Sequence, residues 1–145
     1  MKIETEDLKS AEIFNNIPAQ INDSELLHLL DTADINWYYI YAFKNKCQLT
    51  DNQIAELFDI SVRTLRSKKS YESKVKQLNK EHVVLIISLF KLGNEVFGSN
   101  KIFEIWLNTE NFFFDNKKPS YYLASVTGIR FVEDRLVAMK FGDNV

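Results

Sequence analysis

The stretch from Asn79 to Gly98, NKEHVVLIISLFKLGNEVFG, restricts the chain's options more than any other. An asparagine able to cap a helix opens it and a glycine closes it. Between them run two apolar stripes, Val83, Ile86, Ile87, Phe90 and Phe97 on one side and Leu85, Leu89, Leu92 and Val96 on the other. An arc that wide exceeds what one contact face can bury. The helix therefore lies at the centre of its domain or also meets a second chain. With 145 residues, 46% apolar and 13% aromatic, the sequence has enough side chain to cover such a helix in one or two small domains.

The remaining periodicity is helical, which predicts an all-α protein. Residues 1–22 form an acidic, modestly amphipathic opening (Ile3, Leu8, Ile13, Phe14, Ile17), a short helix or an arm that stops near Pro18. From Asp23 the segment SELLHLLDTA predicts a short buried helix through Leu26, Leu27, Leu29 and Leu30. The next block, INWYYIYAFKNK, puts Ile35, Tyr38, Tyr39 and Ala42 on one helical face. After Gly98, Ser99 or Asn100 starts IFEIWLN, with Ile102, Phe103, Trp106 and Leu107 apolar. Phe112, Phe113 and Phe114 then fall in an irregular loop. Three consecutive phenylalanines cannot all point inward, so some fill the core and at least one is a candidate partner anchor. Pro119 suits the first turn of a short helix, where no amide hydrogen is needed. Thr127 and Gly128 open a last helix with Ile129, Val132, Leu136 and Met139 inward, ending at Gly142. The expected organisation is the opening at 1–22, a helix-turn-helix domain at 23–70, a linker at 71–79 and a second helical domain at 80–145.

Residues 49–69, LTDNQIAELFDISVRTLRSKK, read as two short helices joined by a tight turn. Thr50 and Gln53 make a capping box for the first helix, and Ser61 can cap the second. Ile54, Ala55 and Phe58 form the inner face, against which Ile60 and Leu65 fix the turn. Asp59 occupies the step where a positive φ is needed, a region Asp tolerates better than most residues. Such a unit binds DNA by presenting the start of its second helix to base edges while flanking cations hold phosphates. Ser61, Val62, Arg63, Thr64, Arg66 and Ser67 are the candidate base-facing residues, with Lys68 and Lys69 on the backbone. Charge placement agrees. The net charge is only −2, yet residues 1–60 hold 4 basic and 11 acidic side chains, residues 61–80 hold 7 and 1, and residues 81–145 hold 7 and 8. One basic island between acidic neighbours gives a locally positive surface whose binding would weaken with salt.

Other chemistries find little support. Cys47 stands alone, which excludes an internal disulfide and gives no metal set, and fits a reducing compartment. His28 and His82 have no ligand-like spacing, so no metal and no cofactor are expected. No paired carboxylates accompany a histidine, and there is no glycine-rich phosphate loop and no nucleophile with a base, so an enzyme is not expected. The sequence offers neither a signal peptide nor a membrane span, making cytoplasmic the default expectation.

The order of segments resembles the Xre/MbcA/ParS class of antitoxins, which are paired with RES-domain toxins. The resemblance rests on ISVRTLRSKK, a long helix finishing EVFG, a helix with IWL, and an Asn-led loop running to Pro119, Leu123, Gly128, Val132, Glu133, Leu136 and Gly142. It spans roughly residues 25–142. It implies an Xre-like DNA-binding domain followed by a toxin-binding domain that covers the active-site cleft of an NAD-consuming toxin. It further implies operon repression through operator DNA, and homodimers that assemble with toxin into larger complexes. In the loop, where relatives tend to show glycines, Asp115 and Asn116 can make the same turn. Inhibition of this kind needs no catalytic residue, only a few buried aromatic or Arg anchors. Phe113, Lys117, Tyr121, Tyr122, Arg130, Arg135 and Phe141 are the candidates. The competing reading is a stand-alone helix-turn-helix regulator whose C-terminal domain dimerises or senses a ligand.

Overall fold

Helix α6 (Lys80–Phe97) threads the middle of the molecule, with His82 to Phe90 buried without a break and Leu92 and Gly93 buried after them. The computed structural model describes residues 2–67 and 78–142, and among these the chain is helical with no strand. Of the two options the wide apolar arc leaves open, the central one is realised. Helices α2 (Asp23–Thr32), α3 (Trp37–Lys46), α7 (Asn100–Leu107) and α8 (Val126–Lys140) all pack on α6. Helix α1 (Lys2–Asn16) packs on α3, and the short pair α4 (Asp51–Leu57) and α5 (Val62–Arg66) pack on each other. Among the described residues no single helix is long and apolar enough to cross a membrane.

One cluster of buried apolar side chains runs from Ile13 to Leu136. Its spine is aromatic. Phe58 meets Phe43 at 5.3 Å between ring centroids, Phe43 meets Phe90 at 4.7 Å, Phe90 meets Phe103 at 5.0 Å, and Trp106 meets Phe114 at 5.6 Å. All four are edge-to-face contacts, the arrangement the ring quadrupoles favour. Phe103 fits because Gly93 faces it: a Cβ there would lie 2.4 Å from the ring.

Polar side chains on α6, α7 and α8 satisfy backbone groups of the first half of the chain that no helix ladder serves. Ser88 Oγ donates to Pro18 O (2.7 Å) and accepts from the Ile21 amide (2.9 Å). Lys91 Nζ donates to Phe14 O and Ile17 O at the C-terminal end of α1, where a cation also suits the helix dipole. Arg130 Nη1 donates to Ile21 O (2.6 Å). His82 Nε2 lies 2.6 Å from Leu57 O; a carbonyl only accepts, so this nitrogen carries the proton. Asn100 Nδ2 donates to Lys46 O, and Glu104 Oε1 accepts from the Gln48 amide.

Local signals place the helix ends as expected. The Thr50–Gln53 capping box, Ser61 capping α5, Asn79 capping α6, Ser99 capping α7, Gly98 left-handed after α6 and Pro119 in the first turn of a 3₁₀ helix (Pro119–Tyr122) are all present. Asp59 has φ +53°, and Asp115 and Asn116 have +57° and +59°. Burial departs from expectation in several places. On α3 the inner face is Trp37, Ile40 and Phe43 together with Ala42, while Tyr38 is exposed and Tyr39 half-buried. Side chains without a hydroxyl take the core and the tyrosine hydroxyls stay near water. Leu27 on α2 and Ile102 on α7 are also exposed, because each helix is short enough to be served by one contact face. The last helix opens at Val126 with Ser125 as cap, not at Thr127–Gly128; a Cβ on Gly128 would meet Tyr122 O at 1.7 Å, so the glycine sets this close approach. Of the expected linker, residues 71–77 lie outside the described residues; Leu78 is buried.

Two outcomes follow from these tethers. Ser88→Val leaves Pro18 O and the Ile21 amide without their partner and should cost about 1–3 kcal/mol, read as a lower urea midpoint at unchanged slope; an unaltered midpoint would show that the bonds contribute nothing. Burial raises the Glu104 carboxyl above its ordinary range, against the opposing Gln48 amide. The unfolded chain titrates at the ordinary value and the folded chain above it, so stability falls as pH rises through that interval and stays lower at neutral pH. Glu104→Gln should flatten that part of the profile and raise Tm at neutral pH, whereas a lower Tm with the same pH slope would contradict the sign.

Candidate partner-binding surfaces

The connection between α7 and α8 is a closed loop. The Asn111 amide donates to Lys117 O (3.0 Å), and the two residues form an antiparallel bridge across the left-handed pair Asp115–Asn116. Asn111 Oδ1 accepts from the Phe113 amide (2.9 Å). The three phenylalanines are thereby held in a single 3₁₀ turn (Phe112–Phe114). With three residues per turn their side chains leave the axis in three directions, so at most one can face the core. Phe114 does, lying against Trp106, Tyr122 and Phe131, and Tyr122 Oη donates to its carbonyl. Phe112 is 80% exposed and Phe113 is 46% exposed.

The expected partner anchors fall into two groups. Arg135 on α8 lays its guanidinium 3.6 Å from the Phe113 ring centre, and the Lys117 ammonium lies 4.4 Å from the centre of Tyr121, which in turn packs on Tyr122. These cation–π pairs hold two aromatic rings on the surface of one loop. Arg130 and Phe141 are elsewhere. Arg130 joins Asp23, Glu133 and Ile21 O and fastens the start of α2 to α8. Burial raises the Glu133 carboxyl while Arg130 opposes it. Phe141, 80% exposed, caps the C-terminal end of α8. Phe112, one of the trio expected to supply an anchor, and Phe131, which the sequence did not single out, belong with the first group. Phe131 is four residues before Arg135, on the same face of α8, a spacing that would have found it.

Helices α4 and α5 display the expected DNA-facing residues. Ser61, Arg63 and Arg66 are exposed, whereas Val62, Thr64 and Ser67 are half-buried. Ser61 Oγ accepts from the Thr64 amide and donates to the Thr64 hydroxyl, so both side chains serve the helix start. Arg66 Nε and Lys44 Nζ meet the two oxygens of Asp51 at 2.8 and 3.1 Å. The Arg66 hydrogen bond, followed by that of Lys44, holds the Asp51 carboxyl below its usual range. An exposed pair of this kind contributes little and can open for a stronger partner. Lys68 and Lys69 lie outside the described residues.

Between these two surfaces a groove of about 660 Å³ separates α4 from the Asn108–Ala124 connection, with Leu57, Phe90, Leu107 and Leu123 among its lining. Among the described residues no three His, Cys, Asp or Glu side chains stand where they could share a metal ion.

Residues 92–142, the end of α6 through α8, match the family model of the antitoxin Xre/MbcA/ParS C-terminal toxin-binding domain. The resemblance read from the order of segments therefore holds over the C-terminal third of the chain. The match supports an antitoxin role with a toxin as partner, and suggests a non-enzymatic regulatory protein. No curated protein matches the chain significantly.

The loop geometry separates the three phenylalanines by experiment. Phe114→Ala should cost about 3–5 kcal/mol of folding stability, while Phe112→Ala should stay within about 0.5 kcal/mol of the parent; similar losses at both positions in urea melts would contradict the one-in, two-out arrangement.

Proposed function

We propose that this chain is the antitoxin of a type II toxin–antitoxin system. It neutralises a RES-domain, NAD-consuming toxin by seating the loop and outer face of α8 over the toxin's active-site cleft. The observation that carries this reading is the toxin-binding-domain match over residues 92–142, the same segment that holds the pairs Phe113–Arg135 and Tyr121–Lys117. Aromatic and Arg side chains fixed in advance are the kind of anchor that binds without a large ordering cost. Occlusion excludes substrate by sterics, so no group in this chain has to perform chemistry.

The second half of the proposal is that α4 and α5 read operator DNA and repress the operon. Its support is local: the two caps, the left-handed Asp59 between the helices, and exposed Arg63 and Arg66 in a stretch rich in cations. In this arrangement Arg66 exchanges Asp51 for a phosphate or a base edge, and Arg63 at the start of α5 reaches the groove. The chain works as a homodimer that builds larger complexes with the toxin.

Separating the two activities tests both. The double variant Arg63→Ala, Arg66→Ala should no longer retard the DNA upstream of its own gene yet should still rescue growth against the RES-domain toxin. A chain that retards DNA but rescues no growth would instead be a stand-alone regulator, and retention of full DNA affinity by the double variant would remove α5 as the reading element.

A further inference from the structure

The groove between α4 and the Asn108–Ala124 connection is not accounted for by a toxin surface confined to the C-terminal segment, because one of its walls is α4. Gln53 and Glu56 form that wall; Lys117, Lys118 and Tyr121 belong to the facing one. Its floor is apolar, with Leu57, Phe90, Leu107 and Leu123 each less than a tenth exposed. A volume of about 660 Å³ is within the range of sites that enclose a bound group, roughly 300–1,000 Å³.

We propose that this groove takes an extended segment of the toxin, so that α4 belongs to the toxin interface as well as to the helix pair. The inference rests on the antitoxin reading above. Continuity identifies the occupant. The facing wall lies inside residues 92–142, the segment matched to a toxin-binding domain, and Tyr121 both lines the groove and stands 64% exposed on the surface that carries Lys117. Charge narrows the choice. Glu56 and Glu110 on the lining balance Lys117 and Lys118, so the groove lacks the net positive charge that draws a phosphate backbone and suits a segment carrying both signs. The fitting segment turns an apolar side chain to the floor, a basic residue toward Glu56 and an acidic one toward Lys117 and Lys118.

The test measures affinity of the full chain for the RES-domain toxin encoded with it. Three single variants are compared with the parent: Glu56→Arg on the α4 wall, Ala124→Trp to fill the groove from the other side, and Phe113→Ala outside it. Glu56, Ala124 and Phe113 are exposed, so all three should melt close to the parent. The inference expects Glu56→Arg and Ala124→Trp each to weaken binding about tenfold or more. Parent-like affinity in both, with Phe113→Ala weakened, would overturn the groove and leave the antitoxin reading standing. Absence of binding by the parent would remove both. Altered self-association in the groove variants, at unchanged toxin affinity, would assign the groove to a second copy of this chain and overturn the inference equally.

Discussion

Burial of α6 on every side from His82 to Phe90 is the condition on which the rest of the structure depends. An 18-residue helix with nine successive residues out of water needs neighbours in all directions, and a chain of 145 residues can provide them only by folding both of its halves onto it. The core would be indifferent to which backbone lies where if it were apolar alone. His82 and Ser88 remove that freedom, because each leaves a buried polar atom unpaired unless one particular carbonyl or amide is beside it, and half-buried Lys91 adds its bonds to the end of α1. Leu57, Pro18, Ile21 and Ile17 are thereby fixed, and with them the positions of α4, α2 and the end of α1.

Both candidate surfaces hang from this centre. Phe58 and Phe43 carry the packing outward from Phe90 to α4, and Phe103, Trp106 and Phe114 carry it to the loop before α8. What reaches solvent on the loop side is held there by its own chemistry. The Asn111–Lys117 bridge sets the turn, one phenylalanine is taken inward, and the guanidinium of Arg135 and the ammonium of Lys117 lie over the rings of Phe113 and Tyr121. A binding surface of this kind loses little side-chain freedom when a partner arrives. An inhibitor that works by covering a cleft requires that property and no reactive group.

Much of this was legible in the sequence where the physics is local. Caps depend on residues two to three positions apart, so Thr50 with Gln53, Ser61, Asn79 and Ser99 mark their helices correctly, and left-handed positions are signalled by Asp59, Asp115 and Gly98. The wide arc of α6 foretold its central place. The order of segments pointed to an antitoxin, and the match over residues 92–142 agrees. What escaped was set by distant partners. Periodicity alone could not show that α3 turns Phe43 inward and Tyr38 outward, since that choice depends on Phe58 and Phe90. Nor could it show that Arg130 closes onto Ile21, 109 positions earlier, or that Arg66 meets Asp51. The groove was invisible for the same reason: its walls come from residues 49–57 and 107–124.

The central proposal is that a folded surface of this chain silences an NAD-consuming toxin by sitting on it. Titrating the purified chain into the RES-domain toxin while following NAD loss addresses this directly. The account predicts that turnover falls in proportion to added chain and reaches zero at a fixed molar ratio. Undiminished NAD loss with the folded chain in excess would contradict it.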